Sequence, residues 1–447
     1  MTHVCRSWRN ALLSTPSLWT QIDFSTSRSK QAKGFLGRSG KQLLDIHQFF
    51  ESEDDVEPFL STTLRNMYRL RRLDIASFLL YLEPVLTRFT GSAPELTHLK
   101  ITNEPDTTDR DMELPSTIFK GQLPKLESLS LAYVHSNLRG FNFPSLTRFN
   151  FATGTNISIR DLTSFFERTP SLEFIQLYLS YMPQPPTPPP RRRVRLAALK
   201  ELRFDQMAST SGLLDHLILP KCTEMMLKGQ FTGEKFDNRG EPGARIHPSS
   251  IDHLPVMRGI TKAVAMPNSC IFSGPNGDLK FWCFHENHDN FDAEFFTSFS
   301  PISISDIREL WVGKGPHRPW EQAAAEIQGV FGVLTKVEDL TIVDCKTEPF
   351  FSTLGATMDD GIPLPRLRRL TIYVGGGVLG VSVLIQCAKA RKENSRPLGK
   401  VTVVFEKEPG AGLVKRVESL KEFVGVLDYH VGATPELKWE GKDGDVW

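Results

Sequence analysis

Residues 94–101 read Pro-Glu-Leu-Thr-His-Leu-Lys-Ile, and the spacing of Leu96, Leu99 and Ile101 decides the fold. Leu99 and Ile101 alternate with polar neighbours, the two-residue period of a strand with one face buried. Leu96 enters from the turn ahead of that strand, and Pro94 sits where no ladder donor is required. The same frame recurs at Leu70-Leu73-Ile75, Leu126-Leu129-Leu131, Leu146-Phe149-Phe151, Leu172-Ile175-Leu177, Leu199-Leu202-Phe204 and Cys222-Met225-Leu227. After a gap it returns at Ile307-Leu310-Val312, Val337-Leu340-Ile342, Leu367-Leu370-Ile372 and Leu398-Val401-Val403, and Leu44-Ile46 is a degraded earlier copy.

Consecutive middle residues lie 20 to 31 positions apart on either side of the gap. One strand plus one helix or irregular return fits that interval, which is the signature of leucine-rich repeats. A proline precedes the frame again at Pro124, Pro144, Pro170 and Pro365, and Leu162–Arg168 and Val381–Lys392 between frames show helical apolar spacing. The expected fold is therefore α/β: a leucine-rich-repeat solenoid of about a dozen strands, each unit stacking on the next. Its curved parallel sheet would carry helices or irregular returns on the convex side, with the residues between frame positions on the concave face. The ladder asparagine that usually follows the frame is mostly absent, so the repeats are irregular.

The chain has 447 residues, more than one compact core holds, which agrees with an array. Its 53 basic and 52 acidic residues leave a net charge of +1, so no global field selects nucleic acid or an anionic membrane. The six cysteines are scattered without a CxxC pair, as reduced core thiols of a cytoplasmic or nuclear protein would be. No apolar leader and no run near 18 apolar residues appears, so neither a signal peptide nor a spanning helix is expected.

Residues 228–300 interrupt the frames. Two β-rich runs there, Cys270–Ser273 and Leu279–Phe284, flank Gly274-Pro275-Asn276-Gly277-Asp278, a hairpin signal within 270–284. Three motifs suggest chemistry. Gly375–Gly380 fits G-x-G-x-x-G after a strand, but Glu406 comes late for a ribose-binding acid and the repeat already explains both strands. Cys283-Phe284-His285-Glu286-Asn287-His288-Asp289 lacks the second ligand pair that a structural zinc site needs. Pro183–Arg193 is a polyproline II loop with a Pro186-x-x-Pro189-x-Arg191 match to groove-bound ligands, and reads first as a solvated insertion. No nucleophile elbow, phosphate loop or HExxH helix occurs, so no enzyme, cofactor or metal is expected.

The N-terminal stretch Val4-Cys5-Arg6-Ser7-Trp8-Arg9 opens a helix with Val4, Trp8, Ala11 and Leu12 at helical spacing; Thr15-Pro16-Ser17 breaks it before Leu18-Trp19. This VCrxWR…PxLW pair resembles the second half of an F-box, the adaptor-binding module of SCF-type ubiquitin ligase receptors. The irregular repeats resemble those that follow many fungal F-boxes. The resemblance implies that Val4, Cys5, Trp8, Leu18 and Trp19 contact or pack against a Skp-type adaptor, and through it a cullin. It also implies that the solenoid holds an unknown protein target; the charge balance and the lack of a long apolar run leave nucleic acid and membrane out of the expected partners, and the alternative is an SCF-independent interaction scaffold. The Leu-Pro pair and first helix of an F-box would precede Val4 and are not in the sequence. Adaptor binding is accordingly expected to be weak, with Trp8 and Leu12 capping the solenoid near Leu44 and Ile46. The resulting division is 1–24 partial F-box, 25–227 repeats with the Pro-rich loop at 183–193, 228–300 insertion, 301–440 repeats and 441–447 tail.

Alternation predicts the partner face. It projects Arg72, Asp74, His98, Lys100, Ser128, Ser130, Arg148 and Asn150, then Phe174, Gln176, Glu201, Arg203, Glu309, Trp311, Arg369 and Tyr373. Exposed aromatics among charges are the composition of a hot spot, which makes Phe174, Trp311 and Tyr373 the expected anchors.

Overall fold

The computed structural model describes residues 5–25, 29–104, 112–135, 138, 141–154, 157–179, 192–205, 211–230, 250–266, 269–284, 304–313, 330–343, 347–356, 361–375 and 379–435. The chain forms two compact units, within Met1–Lys221 and Cys222–Asp445. Both are α/β and built on a large, mostly parallel sheet.

The first unit carries β1 (Gln21–Asp23), β2 (Leu44–Phe50), β3 (Leu70–Phe78), β4 (His98–Glu104), β5 (Ser128–Ala132), β6 (Arg148–Thr153), β7 (Phe174–Leu179) and β8 (Glu201–Asp205). Each pairs in parallel with the next in chain order. The register carries the frame across the sheet: Leu73, Leu99, Leu129, Phe149, Ile175 and Leu202 stand side by side. Ile75, Ile101, Leu131, Phe151, Leu177 and Phe204 form a second row, and no residue of either row is more than 3% exposed. Each strand thus contributes the same two apolar slots to one buried face of the sheet.

Returns between strands supply the other side of the core. The helix Ile159–Arg168 starts three residues before the expected Leu162, because Ser158 caps it by accepting the Asp161 N–H at 3.1 Å. It buries Ile159, Leu162, Phe165 and Phe166, and the Phe165 ring lies 4.7 Å from that of Phe149. Elsewhere Phe50 at the end of β2 and Phe59, Phe89 and Phe119 of the returns follow one another with ring centroids 5.1, 6.2 and 5.5 Å apart, tilted or edge-on as aromatic quadrupoles prefer.

The second unit carries β9 (Glu224–Gln230), β10 (Lys262–Met266), β11 (Ser269–Gly274), β12 (Gly277–Phe284), β13 (Glu309–Gly313), β14 (Asp339–Val343), β15 (Arg369–Val374), β16 (Lys400–Phe405) and β17 (Val426–Val431). Their spatial order is β9-β12-β11-β10-β13-β14-β15-β16-β17, and β11 alone runs antiparallel to its neighbours. The interruption at 228–300 thus contributes three strands to the sheet: Leu279 and Phe281 of β12 stand opposite Met225 and Leu227, in frame register. Residues 231–249 and 285–300 lie outside the described residues, as do 180–191 of the Pro-rich loop.

The hairpin turn places Gly274 opposite Gly277 around Pro275-Asn276. Gly277 has φ +125°, and a Cβ there would overlap the Thr223 carbonyl, which accepts the Asp278 N–H at 2.8 Å. Gly277→Ala should therefore destabilise the second unit by about 2 kcal/mol or more, since strain and a backbone clash add. Urea unfolding would measure the loss, and an unchanged midpoint would show that the turn relaxes freely. Gly380 is also a close-packing glycine: its N–H donates to Thr347 Oγ1 at 3.0 Å and a side chain would meet Glu348. Residues 376–378 of that G-x-G-x-x-G run are outside the described residues.

Three arginines each tie one return to the return before it. Arg69 donates to Gly40 O at 2.7 Å, Gln42 O at 3.1 Å and Ser39 Oγ at 3.0 Å. Arg168 reaches Leu138 O and Phe141 O at 2.7 and 2.9 Å. Arg391, fully buried, donates to Pro363 O and Leu364 O at 2.9 Å and to Leu354 O at 3.4 Å. Five donors on one planar fork suit several diverging carbonyls at once.

The N-terminal end departs from expectation. The helix Arg6–Leu13 buries no residue, so Trp8 and Leu12 do not cap the array. The cap is β1, whose Ile22 stands opposite Ile46 and is 1% exposed, together with Trp19 and the helix Ser29–Arg38. Strand pairing and an apolar frame (Trp19, Ile22, Phe24) satisfy the sheet edge better than a helix laid across it.

Candidate functional site

Two surfaces stand out. The first is the N-terminal helix and turn. Trp19 is buried: its ring lies 5.2 Å from Phe35 and 4.6 Å from the Arg38 guanidinium, and its Nε1–H donates to Leu12 O at 2.9 Å. That hydrogen bond ties the helix to the buried Trp19. Trp8 (66% exposed), Leu18 (56%) and Leu13 remain in solvent, and Cys5 at the helix start is exposed. Of the five residues the resemblance assigns to the adaptor, Trp19 is thus used by the fold itself, Trp8, Leu18 and Cys5 are free, and Val4 lies outside the described residues.

The second surface is the outward face of the strands. In the first unit one row runs Asp45, Arg72, His98, Ser128, Arg148, Phe174, Glu201 from β2 to β8. A second runs His47, Asp74, Lys100, Ser130, Asn150, Gln176, Arg203 beside it. Phe174 is not the exposed anchor that alternation suggests; it is 8% exposed. The Arg148 and Arg203 guanidinium carbons lie 4.3 and 5.5 Å from its ring centroid, two cations drawn to the negative face of one ring. Glu201 pairs with Arg203, and Gln176 donates to Asp205 Oδ2 at 2.9 Å. Trp311 and Tyr373 in the second unit are half-buried, and Lys262 sits 4.7 Å over the Trp311 ring.

Two histidines on this face are pushed in opposite directions. His47 Nδ1 lies 3.3 Å from Asp74 Oδ2, and that hydrogen bond raises its pKa above the ordinary 6.5. Burial, reinforced by Arg72, lowers that of His98. The His47 pair contributes stability in full below the unfolded value and loses it as pH rises through the raised one. His47→Gln should therefore cost more at pH 5.5 than at pH 8, by less than about 1 kcal/mol because the pair is half in solvent. Thermal melts of both proteins at the two pH values test this, and an equal loss at both would exclude the coupling. Burial and the neighbouring Tyr133 push the Tyr178 phenol up to about 12.

Sequence patterning names the members of these rows but not their partners. The His47–Asp74 and Gln176–Asp205 contacts cross strands, and only the register reveals them. Among the described residues no group of three His, Cys, Asp or Glu side chains could hold a metal; the side chains of Cys283–Asp289 fall outside the described set. No described helix is long and apolar enough to cross a membrane. No family model matches the chain, and no curated protein matches it.

Proposed function

We propose that the chain is a protein-interaction scaffold of the leucine-rich-repeat type. On this reading it serves as a substrate-receptor subunit of an SCF-type ubiquitin ligase, holding a protein target on the outward strand face. The single observation that carries the adaptor-binding half is the N-terminal helix: a VCrxWR…PxLW segment fixed by Trp19 while Trp8, Leu13 and Leu18 stand in solvent. Large apolar side chains exposed together on one short segment mark a docking site for another protein. One strand per repeat, in continuous parallel register with buried frame positions, supports the solenoid reading.

A specific observation favours the SCF-independent scaffold as the second reading. Trp19 and β1 close the end of the array, so this segment has a structural use without any adaptor. Co-purification of Skp-type adaptor and cullin with the tagged chain separates the two. Capture that disappears in the Trp8→Ala/Leu18→Ala double variant, with its melting temperature unchanged, is the expected result. Capture of neither protein by the parent chain would leave the scaffold reading alone.

A further inference from the structure

We propose that the outward face of β3–β6 binds an extended, Asp/Glu-rich segment of a partner protein. The inference rests on the interaction-scaffold reading and names the chemistry of the partner. The observation behind it is a contrast between the two units. In the second unit four bases of the strand rows are matched across strands: Lys280 with Glu224 at 2.8 Å, Lys262 with Glu309 at 3.0 Å, Arg369 with Asp339, and Lys400 with Asp428 at 3.7 Å. In the first unit Arg72, Lys100 and Arg148 have no carboxylate within ion-pair distance among the described residues. Asp74, in register beside Lys100, is engaged with His47.

These three bases border a low floor. Between Lys100 on β4 and Arg148 on β6 runs β5, whose outward residues are Ser128 and Ser130, short hydroxyl donors that leave the flanking cations standing above them. Arg148 stacks on Phe174, which fixes the guanidinium without neutralising it. Neighbouring strands are about 4.8 Å apart, so the bases on β3, β4 and β6 span about 14 Å, several residues of an extended peptide lying across the strands. Unmatched cations over hydroxyl donors complement carboxylates, and a basic segment would meet repulsion.

Fluorescence anisotropy of the full chain with a short labelled peptide of alternating Glu and Ser tests the proposal. Binding should weaken with added salt, and the Arg72→Glu/Lys100→Glu/Arg148→Glu variant should lose about tenfold or more in affinity. Arg65→Glu, an exposed base away from this face, should bind as the parent does. Far-UV circular dichroism and melting of the triple variant establish that it is folded. No binding by the parent, equal binding by the triple variant, or equal affinity for a Lys-Ser peptide would each overturn the proposal. Binding only of a phosphoserine version would overturn it in favour of a phosphate site. Adaptor capture is read through Trp8 and Leu18, so either inference can fail while the other stands.

Discussion

Replacing Phe149 with alanine should cost the first unit about 3 to 5 kcal/mol, the range for deleting a fully buried aromatic side chain. Phe149 has no exposed surface and sits in the middle row of the frame, between Leu129 and Ile175 on adjacent strands. Its ring meets Phe165 at 4.7 Å and Phe151 at 5.7 Å, so the vacancy would open between the sheet and the helix Ile159–Arg168. Leu129→Ala and Leu370→Ala, which leave smaller voids at equivalent slots, should fall in the range of about 2 to 5 kcal/mol. Urea denaturation followed by far-UV circular dichroism measures all three. A loss below about 1 kcal/mol at Phe149 would mean that the repeat collapses around the gap.

Arg391→Ala is the second large effect expected, about 3 kcal/mol or more. Three carbonyls from the preceding return converge on this one guanidinium, and the residue has no exposed surface. Truncation strands those acceptors in a dry site, where each unsatisfied group costs about 1 to 3 kcal/mol. Burial lowers the Arg391 pKa, and the same burial pushes the Cys387 thiol one turn away up to about 11. Arg391→Lys keeps the charge but not the fork, so it should recover less than half of the loss. Full recovery by lysine would show that charge, not geometry, holds the return in place.

The apolar frame was legible because a parallel array asks the same question of every strand. Two inward positions and one turn position must be apolar, and Leu, Ile, Val, Met, Phe and, once, Cys answer at fixed offsets in 11 places. β10 was not legible, because its inward residues are Ala263 and Ala265, which fill the slots beside Leu310 and Val312 with little apolar signal. At β17 the inward residues Leu427 and Tyr429 are only half-buried, as an edge strand allows. The arginine ties were invisible for a different reason: an arginine in a helix reads as solvated unless carbonyls from another return are known to surround it. At the candidate site, alternation gave the side of the sheet on which Phe174 lies. Its cover came from Arg148 and Arg203 on flanking strands, a contact set by register. The N-terminal helix shows the converse: an amphipathic spacing suggested packing, yet no residue of the helix is buried, with Trp8 and Leu13 exposed and Leu12 half-buried.

Titration of the purified chain with a purified Skp-type adaptor, followed by calorimetry, decides whether the N-terminal segment docks an adaptor. Weak, saturable binding at one adaptor per chain is expected, abolished by Trp8→Ala/Leu18→Ala and untouched by Arg72→Glu/Lys100→Glu/Arg148→Glu. Absence of heat at any adaptor concentration, or binding that survives loss of Trp8 and Leu18, would contradict docking through this segment.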